Sequence, residues 1–192
     1  MRSSVFFILM SLIFATALYS QEEPPEDVNL GAAQYLMTPE VAIAEIFSDD
    51  FYTVEDTLLL SNSEANSLVS SLHRQIRDSV FVVHKVFTDQ KFQGYALITE
   101  EFGKYRPITM LIGVDPNFRV QGVRILVYRE NRGAEVQRKR FLYQYRGKDS
   151  GDPIQINRDI INISGATISV RGVNSGVKKV LAILEMFYSD SA

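Results

Sequence analysis

Four apolar stretches between residues 79 and 128 limit the fold more than any other feature of the sequence. The connections between them are too short for the crossover that parallel strands need, so neighbouring strands must be antiparallel. Asp115-Pro116-Asn117 has the composition of a turn, and Gly94 inside the second stretch indicates a bulge. A four-stranded antiparallel meander is therefore predicted, with strands rich in valine, isoleucine and aromatic residues at Ser79–Phe87, Phe92–Thr99, Ile108–Val114 and Val120–Tyr128.

An amphipathic helix is predicted at the C-terminal end, over residues 167–188. Gly172 and Gly176 lie within it, and each weakens a helix interior by up to about 1 kcal/mol. We expect them to permit close packing against the sheet or against a flat ligand. The predicted class is α+β, a mainly antiparallel, twisted sheet packed by helices. The apolar residues of this helix recur every three or four positions, at Val170, Val173, Val177, Val180, Leu181, Leu184 and Phe187.

Three further helices are predicted upstream of the C-terminal one. Thr38 followed by Pro39 is a typical helix start, with a side-chain cap and a proline in the first turn. Ser61 and Glu64 have the spacing of a capping box. Glu135–Tyr145 is predicted as helical. These helices supply the second layer that a half-apolar sheet requires.

The first twenty residues have the layout of a secretory signal peptide. Arg2 gives a positive start, residues 5–14 are apolar, and small residues before Gln21 offer a cleavage site. This apolar run is shorter than the ~20 residues of a membrane-spanning helix, although an uncleaved N-terminal anchor is the alternative. A polar linker is expected over residues 21–35 and one domain over residues 36–188, placed in the periplasm or secreted.

Composition excludes several kinds of redox site. The chain has 192 residues and no Cys, which rules out disulfides, thiolate metal sites, iron–sulfur clusters and covalent c-type haem. With only two histidines a multi-histidine metal centre is a poor interpretation, and we assign neither a metal ligand nor a catalytic residue. An electron-transfer role would therefore need a bound organic cofactor.

Charge is distributed unevenly along the chain. Residues 21–56 contain ten acidic and no basic residues, whereas residues 119–148 contain nine basic and two acidic ones. The basic block could face a phosphate, a nucleic acid or an acidic partner, or it could be an ordinary solvated surface. A pI near 5.5 argues against a dedicated nucleic-acid binder.

Ser164-Gly165-Ala166-Thr167 lies at the predicted start of the C-terminal helix. Small residues there leave backbone N–H groups open, and the helix dipole favours an anion such as phosphate at that end. Ser164, Thr167 and Ser169 also place three hydroxyls in the first turn, where one could bind a phosphate or be esterified by it. Serine-rich helix starts are also common without any ligand, so both interpretations stay open on these residues alone.

The tetrapeptide resembles the flavin-attachment motif of the FMN-binding domain family. That family includes the C subunit of the sodium-pumping NADH:quinone oxidoreductase and the G subunit of the Rnf complex. The resemblance extends over roughly residues 36–187. It rests on further stretches similar to the family, namely Thr38-Pro39-Glu40 with Ile46-Phe47, Gly94-Tyr95-Ala96, Gly103–Ile108, Gly113-Val114-Asp115, Tyr128–Val136 and Phe141–Lys148.

The resemblance implies that Thr167 carries FMN through a phosphoester bond, installed outside the cytoplasm by a flavin transferase. The protein would then be an electron carrier that exchanges electrons with redox partner proteins, including those of a membrane electron-transport complex. A stand-alone reductase with its own small substrate is the enzymatic alternative. Nucleic acid is not an implied partner.

The same resemblance implies a set of cofactor-binding residues around Thr167. Arg129 and Arg132 would stabilise the phosphate or the reduced flavin, Tyr128 would stack on the ring, and Gly133 would allow close backbone approach. Surface pairs with acidic neighbours are the ordinary alternative for the two arginines, and a place in the sheet core is the alternative for Tyr128. The remaining members of the set are Ser164, Gly165, Ala166, Ser169 and Glu130.

One position departs from the family pattern. The family usually has an Asp three residues before the first residue of the tetrapeptide, whereas this sequence has Ile161 there and Asp159 two residues earlier. The transferase is thought to recognise that Asp. Covalent FMN, non-covalent FMN and a flavin-free binding module of the same fold are therefore all compatible with the sequence.

Overall fold

The computed structural model describes residues 32–189, so the predicted signal peptide and most of the predicted linker lie outside the described residues. The predicted limits of signal peptide, linker and domain stay predictions. No helix within residues 32–189 is both long and apolar enough to cross a bilayer. The described helices are α1 (Pro39–Ile46), α2 (Asn62–Leu72), α3 (Lys139–Leu142) and α4 (Thr167–Tyr188). The strands are β1 (Gln34–Tyr35), β2 (Tyr52–Leu59), β3 (Val80–Thr88), β4 (Lys91–Phe102), β5 (Pro107–Val114) and β6 (Val120–Tyr128).

All six strands form one antiparallel sheet with the order β1-β6-β5-β4-β3-β2. The predicted four-stranded meander is confirmed as β3 to β6, and the α+β class is confirmed with it. The sequence did not predict the two edge strands. β2 buries only Leu58 of its eight residues, so the alternation that indicates a strand is weak there. β1 has two residues and lies at the end of the stretch predicted as a linker.

The bulge predicted at Gly94 is confirmed. Val86 pairs with Gly94 while Phe87 pairs with Phe92, so β4 accommodates one extra residue between these pairs. Gly94 has a φ of +142°, and an added Cβ would lie 2.1 Å from the carbonyl oxygen of Val114. Both the backbone angle and the available space therefore require glycine.

The upstream helices α1 and α2 begin where their capping residues predict. The Thr38 side chain accepts a hydrogen bond from the Val41 N–H, and Ser61 and Glu64 form a complete capping box. α1 packs on one face of the sheet, against β5 and β6, where Ile43 belongs to a small apolar cluster. The larger core lies on the opposite face, beneath α4.

The segment Glu135–Tyr145, predicted as helical, is a series of short helical turns and not one continuous helix. The segment forms a 3-10 turn at Ala134–Gln137, the four-residue α3 and a second 3-10 turn, with Arg138 extended between the first two (ψ 128°). In a continuous helix Val136 would point away from Phe141 and Tyr145, because residues five and nine positions apart are rotated well round the axis. The break brings all three side chains into the core.

The C-terminal helix is confirmed as α4, and its two glycines face the sheet. An added Cβ at Gly172 would lie 3.0 Å from the carbonyl oxygen of Phe102, and one at Gly176 would lie 2.8 Å from the sulfur of Met110. Of the two expected uses of these glycines, close packing on the sheet is therefore the one observed. It brings the first turns of α4 against the end of β4.

We expect Gly172→Val to lower the free energy of unfolding by about 2 kcal/mol, because the added groups overlap a backbone that cannot easily move. Ser175→Val is the matched control, since Ser175 lies on the same helix but is half-exposed; its change should be about 0.5 kcal/mol or less. Urea unfolding of both variants measures the difference. Equal losses would contradict the close packing of α4 on β4.

Candidate functional site

The start of α4 has open backbone donors. Ala166 is the N-cap residue and provides no side-chain cap. The first hydrogen bond of the helix runs from the Val170 N–H to the Ala166 carbonyl (2.9 Å). Within residues 32–189, the N–H groups of Thr167, Ile168 and Ser169 find no acceptor. The positive end of this 22-residue helix is therefore neutralised neither by a side-chain cap nor by an acidic residue in its first turn.

A cavity of about 580 Å³ opens at this helix start. Its size falls in the range of cofactor sites. One wall is the beginning of α4, the second is the loop after β6, and the third is the turn between β4 and β5. The lining residues are Lys104, Tyr105, Glu130, Asn131, Arg132, Gly165, Ala166, Thr167, Ile168 and Ser169. The structure thus brings together Glu130, Arg132, Gly165, Ala166, Thr167 and Ser169 from the predicted set.

Two more predicted residues line a smaller recess that adjoins this cavity. Ser164 and Gly133 lie there, together with Arg132 and Gly165, in a space of about 300 Å³. Arg132 and Gly165 line both the recess and the cavity, so the two spaces are neighbours.

Thr167 is the first residue of α4 and is half-buried. Its hydroxyl oxygen accepts a hydrogen bond from the side-chain amide of Asn162 (2.9 Å). The other side of that amide, the Asn162 Oδ1 atom, is buried and has no partner within the described part of the chain. The hydroxyl proton of Thr167 is consequently not committed to this contact.

Tyr128 does not line the cavity, and its predicted stacking on a ligand ring finds no support in the structure. The side chain is fully buried and its hydroxyl donates to the Arg132 carbonyl (2.5 Å). Because that bond uses the only hydroxyl proton, Ser169 must be the donor in its 2.9 Å contact with Tyr128. Burial raises the pKa of Tyr128, although the Ser169 bond acts in the opposite direction. Tyr128 therefore ties the loop after β6 to the first turn of α4.

The contact between Tyr128 and Ser169 also requires glycine at position 133. Its φ is +82°, and an added Cβ would lie 2.7 Å from the Ser169 hydroxyl and 2.9 Å from that of Tyr128. The predicted close approach at Gly133 is thus made by side chains of the protein itself.

Arg129 also lies outside the cavity. Its guanidinium donates to Thr109 (2.8 Å) and to the Pro107 carbonyl (3.0 Å), and it lies 3.5 Å from Glu100. Successive residues of extended chain point to opposite faces. Since Tyr128 and Glu130 face α4, Arg129 between them faces away.

Glu130 acts on the protein backbone. Its buried carboxylate accepts the N–H groups of Tyr105 (2.5 Å) and Arg106 (3.0 Å). It thereby holds the turn between β4 and β5 that places Lys104 and Tyr105 in the cavity wall. The family resemblance includes the stretch Gly103–Ile108, but Lys104 and Tyr105 were not predicted as site residues. Nothing in the sequence shows that this turn meets the loop after β6.

Most of the basic residues in the block 119–148 form ion pairs with acidic residues elsewhere in the chain. Arg119 pairs with Asp149, while Arg124 and Lys139 both pair with Glu45. The further pairs are Arg129 with Glu100 and Lys148 with Asp159. Arg132 is the member of the block that lines the cavity. No group of three His, Asp or Glu residues in the described chain is arranged to hold a metal ion.

Asp159 stabilises the loop that leads into the tetrapeptide. It accepts hydrogen bonds from Lys148 (2.7 Å), Ile154 N–H (3.0 Å) and Gln155 N–H (2.7 Å). Burial on its own would raise the pKa of Asp159, but the hydrogen bonds outweigh burial and the pKa is lowered. Ile161, two residues later, is 76% exposed. Asp159 is therefore committed to the loop and does not replace an acid at position 161.

We expect Glu130→Ala to lower the free energy of unfolding by about 2 kcal/mol, because two backbone donors lose a charged acceptor. Glu130→Gln keeps one side-chain oxygen and should lose about half as much. Urea unfolding measures both losses. Hydrogen exchange at the Tyr105 and Arg106 amides should accelerate in the alanine variant, and unchanged exchange there would contradict this role.

The lowered pKa of Asp159 predicts that the folded protein loses stability in acid. Because its folded-state pKa is lowered, its stabilisation is present above the usual pKa of about 4 and is lost as pH falls through the folded-state value. Asp159→Asn should be less stable than the parent at pH 7 by about 1 kcal/mol or more. Its stability should also fall less on acidification between pH 5 and pH 2, as measured by urea unfolding. Parallel pH profiles would refute the assignment.

The residues that line the cavity lie within a stretch that is similar to known proteins. Residues 103–182 match the family model of the FMN-binding domain. The fold is similar to the crystal structure of the C subunit of the Na(+)-translocating NADH-quinone reductase from Parabacteroides distasonis. The TM-score is 0.52 and the identity 19%, over 76% of this chain and 82% of that chain. A search of curated proteins finds no significant match. The resemblance to the FMN-binding domain family is therefore confirmed over residues 103–182.

Proposed function

We propose that this protein is an extracytoplasmic electron carrier that holds FMN through a phosphoester bond to Thr167. The observation that carries the proposal is the position of Thr167. It is the first residue of an uncapped 22-residue helix, it lines a cavity of about 580 Å³, and it lies within the stretch that matches the FMN-binding domain.

The helix start fits a phosphate. The N–H groups of Thr167, Ile168 and Ser169 have no acceptor in the described chain, so an anion placed there would satisfy donors that are otherwise open. A phosphodiester keeps one negative charge, which the helix dipole favours. Ser169 is a poorer attachment point than Thr167, because it is buried and its proton is engaged with Tyr128.

The rest of the cavity fits a flavin ring system. Lys104 and Arg132 are exposed at its lining, and neither forms an ion pair with another described residue. Both could stabilise an anionic reduced cofactor. Tyr105 supplies an aromatic surface in the same wall. When bound, FMN supplies one- and two-electron transfer, while the protein fixes its position and exposure.

Location and partners belong to the same proposal. The signal-peptide pattern in residues 1–20 supports export, and attachment of the cofactor would prevent its loss outside the cytoplasm. A flavin transferase would install it. Redox proteins, including those of a membrane electron-transport complex, would exchange electrons with it, as the family resemblance implies.

Non-covalent FMN at the same cavity is the second candidate. It is favoured by one observation: Ile161 occupies the position of the usual Asp, and the nearby Asp159 is engaged with Lys148 and two backbone N–H groups. A transferase would then lack the acid that it is thought to recognise.

Intact mass of the mature protein, produced in cells with a flavin transferase, separates these candidates. We expect one FMN adduct, lost in Thr167→Ala and retained at least in part in Thr167→Ser, which keeps the hydroxyl. Thr57→Ala, an exposed threonine on β2, is the control and should keep the adduct. A yellow protein of unmodified mass would favour non-covalent FMN. A colourless protein that binds no added FMN would refute both candidates.

A further inference from the structure

A second concave surface adjoins the FMN cavity. This groove, of about 550 Å³, lies between α4, the end of β4 and the segment that joins α2 to β3. Ile168 lines both the groove and the cavity. Electron transfer requires the two cofactors to come close together, so a redox partner must dock near the cavity, and this groove is one of the surfaces that border it.

The floor of the groove is a fixed ion-pair network. Glu101 accepts two hydrogen bonds from Arg74 (2.6 and 2.7 Å) and lies 2.9 Å from the Lys179 ammonium. Lys179, whose side chain is 3% exposed, also contacts Asp78 (3.2 Å) and the Glu100 carbonyl (3.2 Å). The acidic groups of the floor are thus compensated from within, and the network holds its shape before any partner arrives.

The surface formed by the groove and the cavity is positive. Their linings together contain six cationic and four acidic side chains, whereas the whole chain carries a net charge of −3. The excess persists when the single charge of a phosphodiester is added. Arg171 is exposed on α4 and forms no ion pair with any described residue. An acidic partner would therefore be steered to this side of an otherwise acidic protein.

Two apolar side chains stand beside this positive charge. Phe102 and Ile168 are 43% and 44% exposed, and both line the groove. Arginine and aromatic residues next to a concave surface are typical of the centres of protein interfaces. Asp78 and Glu100 are exposed at the same groove. A flat anionic bilayer would meet these carboxylates, whereas a protein with patterned charge can avoid them.

We propose that this groove, centred on Phe102, Ile168 and Arg171, is the docking site for the acidic surface of a redox partner protein. The proposal rests on the proposed function, since it concerns the partner of the same cavity. The partner presents carboxylates to Arg171 and an apolar side chain to Phe102 and Ile168.

The test is an NMR titration of the isotopically labelled mature protein with two probes of opposite charge. Plant-type ferredoxin is a small acidic redox protein, and cytochrome c is a small basic one. With ferredoxin we expect shifts or broadening centred on the amides of Phe102, Ile168 and Arg171, weakened by added salt. Cytochrome c should not perturb these amides. Perturbation centred elsewhere, or absence of binding, would overturn the proposal.

Charge-reversal variants test whether binding depends on Arg171 at the groove. Arg171→Glu should weaken ferredoxin binding by about fivefold or more. Arg140→Glu is the matched control, because Arg140 is exposed and lies outside both linings; its effect should be about twofold or less. Equal effects would show that net charge alone matters and would refute the groove. The same amide pattern with phosphatidylglycerol vesicles would assign the surface to a membrane instead.

Flavin content is read separately from absorbance and mass. Ferredoxin binding at the groove by a protein that takes no FMN would refute the proposed function while leaving the docking surface. A flavin-loaded protein that binds ferredoxin elsewhere or not at all would refute the docking surface while leaving the proposed function.

Discussion

The close contact between α4 and the end of β4 is the constraint on which the rest of the site depends. Gly172 brings the helix to the Phe102 backbone, and the Tyr128–Ser169 hydrogen bond fixes its first turn against the loop after β6. The open donors of the helix start therefore lie at a cavity that the loop after β6 and the turn between β4 and β5 help to form. The same contact creates the groove beside the cavity, so the cavity and the groove share one structural cause.

Burial divides the polar residues around the cavity into those that hold its walls and those that are exposed at its lining. Glu130 and Tyr128 act on backbone atoms of the protein and hold two walls of the cavity in place. Lys104 and Arg132 keep their charged ends exposed at the lining. Most buried polar side chains are satisfied within the fold, so the exposed charged side chains of the lining are the ones left without an ion-pair partner in the described chain. This division explains why residues close together in the sequence have different roles.

Much of the fold could be predicted because its signals are local. Capping at Thr38 and Ser61, the turn at Asp115 and the bulge at Gly94 each depend on a few neighbouring residues. The features that the sequence did not predict have non-local causes. The segment after Gly133 breaks at Arg138 because three buried side chains must reach one core, and β2 forms because β3 offers it a free edge. The local propensity of a segment shows neither that its side chains must reach a common core nor that a neighbouring strand has a free edge.

The sequence by itself determined the antiparallel meander, the C-terminal helix and the hydroxyl-bearing tetrapeptide at its start. These follow from periodicity, connection length and helix-end chemistry, which act over a few residues. Only the tertiary structure decided that Arg129 points away from the cavity, that Tyr128 lies beneath it and that Lys104 and Tyr105 complete its wall. Those outcomes depend on which strand face α4 covers and on which loops meet at the end of the sheet. Such pairings join residues tens of positions apart, and they are fixed by packing rather than by sequence neighbours.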